Sequence, residues 1–377
     1  MLKKNKIKVL RVGNLPSNLN PGQGEAAHQL FRSRLFQTVM FSTSIPYKNY
    51  SYEIKVCGNS LYYLSFPNKV FPKNINIFKK LFLSFQRVMN VFRVSINILK
   101  NKFVYSQDII HIHHIFFAIP AISLKLLGKK IVITIHGSDI YKIKNSFLLR
   151  LILRFFDQVL VVSLAQKELL KEFFNPSKIK HIGNAVEYSF YNQNINYENR
   201  EKIIINIGSL RWQKNQILLL KAFNDIHKLF PNWKLVILGE GNERANLENY
   251  IFSNNLECCV SLEGSVDKKI LRDWLNKSRI FVMCSLTEGL PKALLEACAS
   301  GCACISTNVG DCSNFLNDIG LVSINNDKND IYHNIVKLIL DLELAKSFSQ
   351  RSTNRAKSYS WNSYLNLHKE IYNDLLK

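Results

Sequence analysis

Residues 287–301 read TEGLPKALLEACASG. If a helix starts at Pro291, where a first helical position tolerates proline, and stops at Gly301, then Ala293, Leu294, Leu295, Ala297, Cys298 and Ala299 cover nearly every direction around it. A helix that is apolar almost all round is buried. Yet Glu296 stands in its middle and Glu288 just before it. One reading makes Lys292, Glu296 and Ser300 a thin exposed edge on which Lys292 pairs with Glu296. That pair has the weaker Lys-before-Glu order and contributes at most about 0.2–0.5 kcal/mol. The other reading turns the same stripe toward a ligand.

Outward from this helix, the chain alternates apolar strand-like runs with helices. In the second half the runs are KIIINIG (202–208), KLVILGEG (234–241), CVSLEG (259–264), RIFVMCS (279–285) and CACIST (302–307). In the first half they are IKVLRVG (7–13), DIIHIHHI (108–115), KIVITIHG (130–137) and QVLVVS (158–163). Buried runs separated by helices predict parallel, doubly wound sheets. The polar stretch NQNINYENR (192–200) reads as a linker. The expected architecture is thus α/β, with two Rossmann-like domains, 1–195 and 196–359, whose sheets face a central cleft. A C-terminal helix at about 360–377 returns to the first domain.

The 377 residues exceed what one core usually fills. Fifty basic against 28 acidic residues leave a net charge of +22, which points to phosphorylated substrates, an anionic membrane or nucleic acid. In residues 76–103, apolar positions from Phe78 to Phe103 recur at helical spacing, with Lys79, Lys80, Arg87, Arg93 and Lys100 on the other side. This is either a basic amphipathic helix for a bilayer interface or an ordinary domain helix with a solvated face. No leader peptide and no spanning helix are expected. The eight cysteines form no CxxC pair and have no histidine at ligand spacing, so they read as small core residues in a reducing cytosol, without a metal.

Four turns at strand carboxyl ends carry the chemistry. In PGQGEAAHQL (21–30), Gly22 and Gly24 allow close approach of backbone to a ligand at a helix N-terminus. The third glycine of a dinucleotide fingerprint is missing, which argues against NAD. His136 of HGSD leaves a buried strand and is either a core or capping histidine or a donor into a cleft. In GSLRWQKNQ (208–216), Arg211 and Lys214 stand before a helix N-terminus, where cations meet the dipole with the wrong sign unless an anion lies between them. The fourth turn is the 287–301 stretch itself.

In order and spacing these turns resemble the retaining glycosyltransferases of family 4, which have the GT-B fold. The resemblance extends over nearly the whole chain, through HGSD, IGNAVEYSF, GSLRWQKNQ, LVILGEGNE, SLEGSV, EGLPKALLEACASG and TNVGD, and EGLPKALLEA is its most specific element. It implies a nucleotide-sugar donor, UDP- or GDP-linked, and no cofactor or metal. Lys214 matches the lysine on the donor diphosphate, Glu296 the glutamate on the ribose, and Glu288 and His136 the residues beside the transferred sugar. Gly264 to Val266 match the base site, and Gly289, Leu290 and Pro291 the backbone around sugar and phosphate. The family's arginine is Ser209 here, with Arg211 as a substitute two residues on. The implied catalytic group is therefore His136, Lys214 and Glu288. The expected acceptor is a saccharide or polyprenyl-linked saccharide of a bacterial surface polysaccharide. The expected location is the cytoplasmic face of an anionic membrane, with no nucleic-acid partner. The alternatives are a sugar-nucleotide epimerase or hydrolase of the same fold, or an inactive membrane-binding module.

Overall fold

The structure, a computed structural model, describes residues 7–13, 29–30, 33, 35–42, 53–56, 59–63, 105–113, 115–136, 139–325 and 327–377. The Gly22 and Gly24 turn and the basic stretch 76–103 lie outside the described residues.

Eight strands form the first sheet: β1 (Ile7–Gly13), β2 (Phe36–Ser42), β3 (Glu53–Val56), β4 (Asn59–Tyr63), β5 (Ile109–Ile112), β6 (Lys130–Ile135), β7 (Gln158–Val161) and β8 (Ile179–His181). Their spatial order is β3-β4-β2-β1-β5-β6-β7-β8, parallel throughout except for the β3–β4 pair. The second sheet holds β9 (Glu201–Ile207), β10 (Lys234–Leu238), β11 (Val260–Gly264), β12 (Ser278–Met283), β13 (Ala303–Thr307) and β14 (Gly320–Ser323). Its order is β11-β10-β9-β12-β13-β14, and every pair is parallel.

Strand β9 shows why the runs are mainly apolar. Ile203 and Ile205 pack with Phe281, Met283 and Leu295 on one face of the sheet, and Ile204 packs with Leu219, Leu235 and Ile280 on the other. Both faces are covered by helices, so the strand's centre is apolar, and its buried polar residue, Asn206, donates from Nδ2 to the Val282 carbonyl at 2.8 Å. The helix Gln216–Leu229 covers the second of these faces, with Leu219, Leu220, Phe223 and Ile226 buried at helical spacing.

By compactness the chain divides into two units. The first comprises residues up to Val162, Gln166–Ile182 and Leu365–Lys377, and the second comprises Ser163–Ala165 and Gly183–Tyr364. The boundary therefore falls before residue 195, and the expected linker is part of the second unit. Tyr197 and Arg200 in that stretch are buried. Arg200 Nη1 donates to the carbonyls of Leu275 and Ser278, each at 3.1 Å, and Nη2 donates to that of Ser300. The rest of the stretch is mostly exposed, so these two buried residues tie an otherwise loop-like segment to the second unit. The helix Trp361–Leu376 is shared, its last residues belonging to the first unit.

Within the first unit, Arg11 of β1 is fully buried. Its Nη1 donates to His111 Nδ1 and to the Tyr372 hydroxyl, each at 3.0 Å. An arginine can only donate, so His111 Nδ1 accepts and the ring proton sits on Nε2, which donates to Thr134 Oγ1 at 2.8 Å. His113 stacks beside His111, with ring centroids 4.1 Å apart. Burial first, and then the surrounding positive groups, hold both imidazoles well below their usual 6.5.

Candidate functional site

In the second sheet β9 and β12 are neighbours, but the chain leaves them in opposite directions, toward β10 and toward β13. That is the topological switch point, where the loops at the strand carboxyl ends part and leave a crevice. Residues 208–215 follow β9 and residues 284–291 follow β12. Lys214 and Glu288, 74 positions apart, form an ion pair there through Glu288 Oε1. The same oxygen accepts a hydrogen bond from Ser285 Oγ at 3.0 Å. The two side chains remain 28% and 15% exposed, enough to meet a ligand. Behind them the Cys312 thiol is pushed up to about 12, by burial first, which keeps it neutral and unreactive.

The loops around this pair are fastened through backbone. Gly208 and Leu210 donate to the carbonyls of Leu238 and Glu240 at 3.0 and 2.9 Å, and Gly239 donates to that of Gly264 at 2.7 Å. Gly239 sits at φ +146°, and a Cβ there would lie 1.9 Å from the Gly208 carbonyl oxygen. Only glycine permits this approach. On the other side Leu286 donates to the Gln213 carbonyl at 2.8 Å, and Asp311 to that of Gly289 at 3.0 Å. A Cβ on Gly310, at φ +53°, would lie 2.3 Å from the Glu288 carbonyl oxygen. The Lys214 and Glu288 turns are thus held to each other and to their neighbours.

The helix of the opening stretch runs Lys292–Ser300, one residue shorter than expected. Pro291 is its cap, in extended conformation, and Gly301 ends it at φ +84°. Pro291 offers no side-chain hydrogen bond to the first-turn N–H groups, which leaves an anion-attracting end beside Glu288. Glu296 is half-buried and accepts a hydrogen bond from the Tyr191 hydroxyl at 2.9 Å. The Lys292 ammonium lies 5.4 Å from the centre of the Trp361 ring. Ser300 does not continue the stripe outward: it is 3% exposed, under the Arg200 guanidinium.

The remaining expected residues distribute as follows. Arg211 is exposed, in extended backbone just before the Trp212–Lys214 turn. Gly264 ends β11, and Val266 packs on the core beside it. Leu290 is buried, and its carbonyl accepts from Asn184 Nδ2. Gly289 lies between Glu288 and that anchor. His136, at the end of β6, is half-buried in the first unit, where its carbonyl accepts from the Asp139 N–H at 2.8 Å. Sequence reasoning missed Ser285, Tyr191, Gly239 and Gly310. The glycines stood in the turns it quoted; Tyr191 reaches Glu296 from 105 positions away and left no local signal, whereas Ser285 ends the quoted RIFVMCS run only three residues before Glu288.

Comparison with known proteins agrees in both units. A model described as Glycosyltransferase Family 4 matches residues 60–190, and one described as Glycosyl transferases group 1 matches residues 189–355. A component of the phosphatidylinositol N-acetylglucosaminyltransferase of Arabidopsis thaliana is 29% identical over 280 residues, covering 71% of this chain and 62% of that protein. The N-acetylgalactosamine-N,N'-diacetylbacillosaminyl-diphospho-undecaprenol 4-alpha-N-acetylgalactosaminyltransferase of Campylobacter jejuni is 28% identical over 222 residues, covering 57% of this chain and 60% of that protein. The chain thus spans about three fifths of the length of these two curated relatives. Among solved structures, Anabaena HepE in complex with UDP superposes with a TM-score of 0.75 over 98% of this chain and 100% of that one, at 13% identity.

Proposed function

Since the chain belongs to the family 4 glycosyltransferases of GT-B fold, we propose that it moves a sugar from a nucleoside diphosphate to a hydroxyl of a saccharide or lipid-linked saccharide. The observation that carries this reading is the Lys214–Glu288 pair at the switch point of the second sheet. A cation held by a carboxylate at a helix N-terminus is a seat that a diphosphate can take over. Both curated relatives above are named for lipid acceptors, phosphatidylinositol and diphospho-undecaprenol. Their names support a lipid-linked acceptor here, and the +22 charge supports work at an anionic membrane surface.

In this reading Lys214 and the open N-terminus of the Lys292–Ser300 helix stabilise charge building on the leaving diphosphate, with Arg211 as an added cation. Electrostatics prepared in this way replaces a metal. Glu296, steadied by Tyr191, accepts from the ribose hydroxyls. Glu288 stands by the transferred sugar, freed from Lys214 when phosphate engages that ammonium. The base lies along Gly264 to Val266, and the backbone from Gly289 to Pro291 contacts sugar and phosphate. The role of His136 at the donor sugar, like retention of configuration, rests on the family resemblance.

A panel of UDP- and GDP-sugars, with a polyprenyl-diphosphate saccharide supplied, tests the reading by release of nucleoside diphosphate. Release should require the acceptor, be unchanged by added Mg²⁺ or Mn²⁺, and give a product whose anomeric configuration matches the donor's. Silence with every donor rules out the transferase. Donor conversion without acceptor points to the epimerase or hydrolase. Sedimentation with anionic but not neutral vesicles checks the membrane part.

A further inference from the structure

His227, Cys258 and Cys259 meet at a point that sequence spacing does not reveal. His227 lies in the last turn of the Gln216–Leu229 helix, and the two cysteines directly precede β11. One ligand atom from each residue lies within 4.8 Å of the other two. Cys258 is exposed, Cys259 is buried and His227 is half-buried, so the cluster has one side open to solvent. The imidazole packs over Phe223, with ring centroids 5.9 Å apart, and its Nδ1 is buried without a hydrogen-bond partner. A buried ring nitrogen left unpaired is unfavourable unless something binds it.

Two plainer explanations fit poorly. Neighbouring Cα atoms are about 3.8 Å apart, short of the roughly 4.4–6.8 Å that unstrained disulfides span. Cys259 is buried, with its Sγ–H donating to the Leu256 carbonyl at 3.3 Å, so it is not placed as an exposed nucleophile. Two thiols and an imidazole are instead the donor set of soft-leaning divalent cations. Tetrahedral zinc, with bonds of about 2.0–2.3 Å, would bring these ligand atoms to roughly 3.3–3.8 Å from one another, a closure within reach of side-chain rotation.

We propose that His227, Cys258 and Cys259 bind one divalent cation of the zinc class, with solvent in the fourth position. The ion ties the last turn of the helix that begins just after Lys214 to the start of the strand that ends at Gly264. It is a staple at the back of the second unit, and it stands independently of the reaction assigned above. Its coordination converts both thiols to thiolates and releases their protons to solvent.

The test uses the full chain, reduced and stripped of metal, titrated with Co²⁺ and then Zn²⁺. The expected result is one equivalent bound, a thiolate-to-cobalt charge-transfer band, displacement by zinc and a zinc-dependent rise in melting temperature. Cys258→Ser, at an exposed position with no core to disturb, and His227→Gln should each weaken binding on the order of 100-fold or more. Cys284→Ala, elsewhere in the same unit, should leave it unchanged. No stoichiometric binding, a cobalt spectrum lacking the thiolate band, or binding that survives both ligand substitutions overturns the proposal.

Discussion

Glu288 Oε1 is shared between the Lys214 ammonium and the Ser285 hydroxyl, and the chemistry is most open to test at this atom. Lys214→Met should lower kcat/KM by about 10²–10³-fold, the usual loss when one preorganised charge is removed from a transition state. Glu288→Gln keeps the shape of the side chain and should cost a comparable factor. The double variant should lose less than the product of the two, because each single change already breaks the pair. Steady-state kinetics with the donor identified by the panel checks this. Both residues were legible in sequence, Lys214 from its place before a helix N-terminus and Glu288 from the turn before Pro291. Their contact was not, because 74 intervening residues fold between them. Ser300 shows the opposite error: helical spacing put it on the Lys292–Glu296 stripe, but the end of that stripe turns under Arg200.

At the level of elements, the site depends on turns pressed together more closely than side chains allow. Gly239→Ala would push a methyl group into the Gly208 carbonyl and hold alanine at φ +146°. It should destabilise the second unit by about 3 kcal/mol or more. Gly208→Ala is the control, since its Cβ would meet only the Lys214 stem, at an ordinary 3.5 Å. Urea unfolding followed by tryptophan fluorescence separates the two, because all four tryptophans lie within Gly183–Tyr364. Long apolar strands such as β9 and β12 were legible because both of their faces are buried. The three-residue β8 and four-residue β14 were missed, since strands so short carry no period of their own. The 192–200 stretch is mostly exposed, as its composition suggests, but the unit boundary falls earlier and Tyr197 and Arg200 anchor the stretch to the second unit.

On the scale of the whole molecule, stability should depend on pH through the first unit. His111 and His113 stay neutral in the native chain below the ordinary 6.5, whereas the unfolded chain takes up protons there. Folded stability is therefore complete above about pH 6.5 and is lost as pH falls from there toward the lowered native values. Protection against hydrogen exchange in β5, taken relative to the intrinsic rate at each pH between about pH 5 and pH 7.5, should fall on the acid side, while the fluorescence transition of the second unit lacks this component.

The hydrogen bond from Arg11 to Tyr372 joins residues 361 positions apart. During synthesis, at roughly 5–20 residues per second, the guanidinium would wait roughly 20–70 s for that partner to be made. By then the ribosome has already delivered the whole of the second unit. The half of the protein that begins first is thus the half completed last, and β1 must be kept from wrong partners in the meantime. A chain cut after Tyr364 should retain the tryptophan transition of the second unit and lose slow hydrogen exchange in β1 and β5. If both strands stay protected in the shortened chain, the order of assembly is the ordinary one, from the first residue to the last.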